Sequence, residues 1–302
     1  MHYNILMMEN CPKVSVIIPT YKRSDKLDRA IESVLAQTYQ NVDVIVVDDN
    51  EPDTEGRKLT EAKMAPYAGN PRVKYIRHEH NKNGSAARNT GARASDGKYI
   101  AFLDDDDVFY PEKIEAQVQR LEELPEEYAV CYTDAVCEKE NGKTSMLSEK
   151  REGDLYFDAL TRELSFLAGS NMFVRKDAFD SIGGFDESFI RSQDKEIVTR
   201  LLKKYKIARA PVIGLHVYLY ENHSFFNPIE VTEKYVSTFK KDIDELPADK
   251  KKKFYAIIAK DKFWYYFRLN KDYKACLKMV VTGEISFVTA LGVLIKHAKK
   301  LF

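Results

Sequence analysis

Three short apolar runs in this sequence break off in the same way, and that ending limits what the chain can be. Residues 14–19 (VSVIIP) run into Thr20 and Tyr21, and residues 42–48 (VDVIVVD) into Asp49 and Asn50. Residues 99–103 (YIAFL) run straight into Asp104, Asp105, Asp106 and Asp107. A further run, residues 73–77 (VKYIR), lies between the last two. Runs this apolar have no face to spare for water, so they read as strands buried on both sides. The stretches between them read as helices: Leu27, Ala30, Ile31, Val34 and Leu35 recur at helical spacing, and residues 84–94 (GSAARNTGARA) form a small-residue helix. Pro111 stands where another helix should start, followed by Ile114, Val118 and Leu121. Strand–helix alternation predicts an α/β fold with a mostly parallel sheet and right-handed crossovers. Ligands of such sheets gather outside the carboxyl ends of the strands, where these polar endings fall.

The alternation stops after about residue 140, which suggests a differently built second region rather than more of the same sheet. Residues 169–174 and 213–220 read there as strands and residues 194–205 as a helix. From about Pro228 the chain reads as helices rich in Lys, Phe and Tyr. Formal charge is balanced, 47 basic against 47 acidic residues, so the whole chain offers no broad basic field and no nucleic-acid partner is expected. Cys11, Cys131, Cys137 and Cys276 make no CxxC pair and no zinc spacing, which fits a reducing, cytoplasmic setting. The first residues lack the pattern of a signal peptide, and no apolar run reaches the roughly 18 residues of a transmembrane helix.

Four consecutive aspartates at a strand end repel one another and need water, protons or a cation. A divalent cation with oxygen ligands answers that need and would neutralise a departing diphosphate; a solvated acidic loop is the plainer alternative. Asp49 could accept from a base N–H, Thr20 and Tyr21 could frame the base, and Arg23 and Arg88 could pair with phosphate. Each also has an ordinary structural reading, a helix cap for Asp49 and surface ion pairs for the arginines. Neither GxGxxG after the first strand nor GxxxxGK[ST] is present, which argues against a dinucleotide dehydrogenase and a P-loop NTPase; GxSxG is absent too.

Residues 14–39, 44–51 (VIVVDDNE), 81–115 (NKNGSAARNTGARASDGKYIAFLDDDDVFYPEKIE), 183–189 (GGFDESF) and 192–204 (SQDKEIVTRLLKK) together resemble the family 2 glycosyltransferases. The resemblance implies the GT-A fold, a Rossmann-like mostly parallel sheet flanked by helices. It implies a glycosyltransferase domain over residues 1–225, with a nucleotide-sugar half at about 12–125 and an acceptor half at about 126–225, then a helical C-terminal extension over 226–302. It further implies inverting transfer from a nucleotide-sugar, with UDP the expected nucleotide, to a glycan, lipid-linked or protein acceptor.

By position in the family's motifs, Pro19, Thr20, Tyr21, Arg23 and Asp49 hold the nucleoside and Arg88 the diphosphate. Asp104, Asp105 and Asp106 form the DxD motif: Asp104 and Asp105 join the nucleotide-sugar contacts, and Asp106 and Asp104, its two acidic positions, hold Mn²⁺ or Mg²⁺, with Asp106 the direct ligand. Asp194 is the catalytic base, in a QD rather than the commoner ED pair. His223, just past the last strand, could reach the metal or diphosphate; His216, within it, reads as structural. Without the resemblance Asp194 would read as an acid favoured by a helix N-terminus. A nucleotidyltransferase would need a glycine-rich loop where Pro19-Thr20-Tyr21-Lys22-Arg23 stands. A non-catalytic sugar-binding protein would be marked by loss of the acidic motif or the base, and both are present.

The tail leaves two readings open. Phe287, Val288, Leu291, Leu294, Ile295, Ala298, Leu301 and Phe302 share a helical face, with Lys296, His297, Lys299 and Lys300 off it. A basic amphipathic helix over residues 285–302 could touch a membrane from its inner side; equally it could pack on its own domain or on a second subunit of a homo-oligomer.

Overall fold

A computed structural model describes residues 11–220 and 227–298, the last three of these by backbone alone. The chain divides into two compact units, Met1–Asn222 and His223–Phe302.

The first unit is built on one nine-stranded sheet. Its opening half holds β1 (Val14–Thr20), α1 (Leu27–Leu35), β2 (Val42–Asp48), α2 (Glu55–Met64), β3 (Val73–Arg77), α3 (Gly84–Ala94), β4 (Tyr99–Phe102), β5 (Val108–Phe109) and α4 (Lys113–Glu122). Its second half holds β6 (Tyr128–Lys139), β7 (Thr144–Leu147), α5 (Tyr156–Leu160), α6 (Ala168–Asn171), β8 (Phe173–Arg175), α7 (Lys176–Ser181), α8 (Gln193–Leu202) and β9 (Lys206–Leu219). The strand order is β3-β2-β1-β4-β8-β6-β9-β5, with β7 paired to β6. β3, β2, β1 and β4 run parallel, as the sequence pattern predicts. Beyond β4 the sheet turns mixed: β8 is antiparallel to both neighbours, while β6 and β9 form a long parallel ladder.

Alternation along the strands sorts side chains to two faces. Val14, Val16, Ile18, Val44 and Val46 pack with Leu27 and Ile31 of α1 and Ile114, Val118 and Leu121 of α4. Ile17, Ile45, Val47, Ile100 and Phe102 pack on the other face with Ala87 of α3 and Ile197 and Leu201 of α8. Both faces are therefore dry, and each buried aliphatic side chain contributes about 1.5–3 kcal/mol. The small residues of α3 let it lie close on β1. A Cβ on Gly91 would sit 2.4 Å from Ile17, so only glycine fits there.

The second half departs from the sequence reading. Residues 169–174 read as a strand, but they hold the short helix α6 and the start of β8, entered through Leu167 at φ 60°. The last strand begins at Lys206 rather than 213, and β6 was not anticipated.

The second unit is helical: α9 (Pro228–Thr238), α10 (Lys240–Asp244), α11 (Ala248–Tyr265), α12 (Tyr273–Val281) and α13 (Phe287–Ala298). A π-helical turn at Tyr266–Asn270 follows α11. Ala259 and Phe263 of α11, Cys276 and Met279 of α12, and Ala290 and Val293 of α13 form its core, with Ile285 between the last two helices. No helix among the described residues is long and apolar enough to cross a membrane.

Candidate active site

The carboxyl ends of β1, β2 and β4 hold most of the residues singled out from the sequence, and the side chains there divide into three groups. The first surrounds β2. Asp48 is fully buried and binds inward, accepting from Tyr75 Oη (2.5 Å) and Asn50 Nδ2 (2.7 Å), with Arg57 Nε 3.4 Å away. Asp49 turns the other way. Its Oδ1 takes His78 Nδ1 (2.7 Å) and Lys82 N (2.8 Å), and its Oδ2 takes Asn81 Nδ2 and Asn83 N (both 2.9 Å). Four donors fill the acceptor capacity of a carboxylate. Asp49 thus stands at the expected strand end, but it holds the loop 78–83 that leads into α3. That loop then caps α3 through Asn83, whose side chain accepts from Ser85 N and Ala86 N. Neither His78 nor Asn81 carried a signal in the sequence.

The second group is Arg23 with the middle of the acidic run. Thr20 is buried at the end of β1, and its carbonyl accepts from Asp49 N (2.9 Å). Pro19 precedes it in the strand, and Tyr21 is exposed just beyond. Arg23 Nη1 binds Asp106 Oδ2 (2.6 Å) and its Nη2 lies 2.9 Å from Asp105 Oδ1. Arg29 donates to the Asp106 carbonyl (2.7 Å). Burial pushes the Asp105 carboxyl up to about 7, with Arg23 pulling the other way, and it raises Asp106 as well.

The third group faces a cavity of about 300 Å³ walled by Arg88, Asp104, Asp107, Gly169, Ser170, Gln193 and Asp194, among others. Arg88, buried on α3, pairs with Asp104 Oδ1. With the Gln193 amide turned to suit its neighbours, its oxygen accepts from Arg88 Nη1 (2.8 Å) and its nitrogen donates to the Phe189 carbonyl (3.1 Å). Gln193 therefore ties the first turn of α8 to the arginine that holds the acidic run. Ser170, on α6, donates to Asp107 Oδ2 (2.6 Å) and accepts from Asp104 N (3.0 Å). Burial and the neighbouring Asp104 charge raise Asp107. Asp194 sits half-buried in the first turn of α8, behind the N-cap Ser192 at φ 58°. Glu196, the next acid along α8, is buried and bound to Arg200, so it faces away from this cavity.

Asp194, Arg88 and Asp104 thus share one cavity, while Arg23 and Asp106 lie outside its wall. His216 is structural in kind: Nε2 meets Glu138 (2.8 Å) and Nδ1 meets Tyr110 Oη (3.2 Å). His223 lies outside the described residues.

The acidic run can be tested for its fit to Mn²⁺ or Mg²⁺. Four carboxylates face two arginines, and burial, with a smaller share from their mutual repulsion, favours the neutral form in three of them; a bound cation would offset both. The donors are all oxygen, as hard cations prefer. Among the described residues no group of three or more His, Cys, Asp or Glu side chains forms a metal cage. Mg²⁺ commonly needs only one or two carboxylates when substrate phosphates complete its shell, so the residues fit a cation shared with a phosphate ligand.

The sequence profile described as glycosyl transferase family 2 matches residues 15–183. Among curated proteins, the chain is 30% identical over 198 residues to an uncharacterized glycosyltransferase of Rickettsia felis, covering 64% of this chain and 32% of that protein. It is 27% identical over 211 residues to the amylovoran biosynthesis glycosyltransferase AmsB of Erwinia amylovora, covering 67% and 69%. The chain spans about a third or less of the first three curated relatives it matches. Among solved structures, S. aureus TarS residues 1–349 in complex with UDP-GlcNAc superposes with a TM-score of 0.61 at 17% identity, covering 86% of this chain and 74% of that one. That likeness establishes the GT-A architecture of the sheet and its flanking helices.

Proposed function

The chain belongs to glycosyl transferase family 2, and from that premise we propose that it moves a sugar from a nucleoside diphosphate to an acceptor hydroxyl with inversion at the anomeric carbon. The observation that carries the reading is the single cavity walled by Asp194 on one element and by Arg88 and Asp104 on others. It offers a carboxylate for a hydroxyl proton, beside a cation for a phosphate.

In this reading Asp194 takes the acceptor proton as the oxygen attacks the anomeric carbon. The bond to the diphosphate oxygen breaks, and that oxygen keeps both electrons. Arg88, oriented by Gln193, meets the leaving diphosphate with the planar guanidinium that suits phosphate oxygens. Arg23 supplies a second positive charge at the same strand ends. Asp106 and Asp104 would hold Mn²⁺ or Mg²⁺, which when bound neutralises the charge growing on the diphosphate. Pro19, Thr20, Tyr21 and the loop anchored by Asp49 frame the nucleoside.

A UDP-linked hexose or N-acetylhexosamine is the proposed donor, supported by the shared fold of TarS, whose structures include UDP and UDP-GlcNAc complexes. Surface polysaccharide or glycoconjugate is the proposed acceptor, supported by the name of the amylovoran relative. The test is nucleoside diphosphate release from a panel of nucleotide sugars, with and without Mn²⁺. Asp194→Asn should bind donor normally and lose roughly two to four orders of magnitude in transfer, the usual worth of a placed general base. Transfer at the wild-type rate in that variant would remove the base from the mechanism.

A further inference from the structure

The C-terminal unit carries an apolar surface that its own packing leaves uncovered. On α12 the core takes Cys276 and Met279, while Tyr273, Leu277 and Val281 recur every fourth residue on an exposed stripe. Helical geometry places Lys274 and Lys278 along the far edge of that stripe. α13 repeats the arrangement. Ala290 and Val293 are buried, with Leu294 partly so, and Phe287, Val288, Leu291 and Ile295 form a separate exposed arc. Exposure in these two sets runs from 43% at Leu291 to 78% at Val288. Of the tail face expected from the sequence to be either packed or membrane-bound, only Leu294 among the described side chains joins the core. The helix is held by Ala290 and Val293 instead.

Charge is divided along the chain in the same sense. Residues 227–302 hold 16 lysines and arginines against 9 aspartates and glutamates, a net of +7. Since the whole chain balances 47 against 47, residues 1–226 carry −7. A neutral total therefore conceals a basic C-terminal unit. Each set repeats along one face of its helix, and exposed apolar side chains arranged in this way mark an interaction surface. A protein partner with an apolar patch would answer the stripes but not the lysines beside them. An anionic lipid surface answers both, with apolar side chains at the headgroup boundary and ammonium groups on the phosphates.

We propose that α12 and α13 form a docking surface for an anionic membrane, lying in its interface without crossing it. Tyr273, Leu277, Val281, Phe287, Val288, Leu291 and Ile295 enter the headgroup region, and Lys274 and Lys278 bind lipid phosphate. The proposal rests on the second unit alone and stands whether or not the first transfers a sugar.

The test uses the full chain and vesicle flotation. Vesicles of phosphatidylglycerol and phosphatidylcholine in equal parts should carry the protein up; phosphatidylcholine alone should not. Binding should weaken as salt rises, since the ionic share is screened. The combined variant Leu277→Ser, Val281→Ser, Phe287→Ser, Leu291→Ser removes only exposed side chains. It should lose at least tenfold in vesicle affinity while keeping its circular dichroism spectrum and its turnover on a soluble acceptor. Should that variant fail to fold, Lys274→Glu with Lys278→Glu carries the test, with a similar loss expected on anionic vesicles. No flotation of the wild type, or unchanged flotation in a folded variant, overturns the proposal. So does a wild-type dimer that the serine variant dissociates and that ignores vesicles, because a second copy would then cover the face.

Discussion

Replacing Asp49 should cost stability as well as nucleotide affinity, because its carboxylate anchors a loop. Asp49 is 2% exposed and accepts from His78, Asn81, Lys82 and Asn83. Hydrogen bonds to an ionised group contribute about 1.5–3 kcal/mol each. Residues 79–82 are exposed, so water recovers part of the loss, and Asp49→Ala should cost on the order of 3–5 kcal/mol. For a domain of this size that lowers Tm by roughly 10 °C. Asp49→Asn is the sharper test. Lys82 N and Asn83 N bind different oxygens of the carboxylate. Whichever way the new amide turns, one backbone N–H faces an NH₂ group and cannot rotate away. His78 can change tautomer and Asn81 can flip; the backbone cannot. The near-isosteric Asn should therefore destabilise about as much as Ala. The assays are thermal unfolding and UDP calorimetry on both variants. A Tm within about 2 °C of wild type in Asp49→Asn would refute the anchoring argument. Unchanged UDP affinity in both would take the 78–83 loop out of the nucleotide site.

Asp106→Ala should abolish any Mn²⁺-dependent transfer and leave the fold intact, since the buried carboxylate pairs with Arg23, which is half-exposed and can turn to water; full activity with excess chelator would remove the cation from the reaction. Gln193→Ala should lower transfer more than donor affinity by loosening Arg88, and Gln193→Glu should restore the orientation; equal rates in all three proteins would show that Arg88 needs no such hold. Lys113 offers a pH test. It is fully buried, binds Thr133 Oγ1 (3.0 Å) and Asn171 Oδ1, and burial pulls its ammonium from 10.5 down to about 7. Between those values the unfolded chain holds a proton there that the folded chain lacks, so stability rises with pH, by at most about 1.4 kcal/mol per unit. Urea midpoints for Lys113→Met should lack that slope; parallel pH curves for variant and wild type would contradict it.

How much of this was legible in the sequence follows from the range of the forces involved. β1, β2 and β4 could be read because each is buried on both faces, and an unbroken apolar run says so locally; β3 is only partly buried and is legible from its place between them. β6 could not, because its partner β9 begins 67 residues after β6 ends and nothing local names it. The stretch 169–174 failed for a related reason. Its small and apolar residues suit a strand, but Ser170 is needed by Asp104 and Asp107, and Asn171 by Lys113 and Thr133, so the chain turns through α6 to deliver them.

The acidic run shows where pattern reading ends. Four identical side chains in a row announce a site, and nothing in their order tells them apart. Tertiary structure does so by supplying different neighbours. Asp104 faces the cavity against Arg88, Asp105 is buried beneath Arg23, Asp106 is buried against the half-exposed Arg23, and Asp107 takes Ser170 and the Tyr218 backbone. Those neighbours come from the segment after β1, from α3, α6 and β9, far apart in sequence. The same holds for Asp48 and Asp49, adjacent acids of which one is locked to Arg57 and Tyr75 and the other to a loop. β4 ends at Phe102 and the backbone turns through 104–107, so consecutive acids there meet different surroundings. Position at the sheet's carboxyl edge is therefore a property the sequence carries. The chemical role of each acid belongs to the partner it meets, and only the folded chain supplies that.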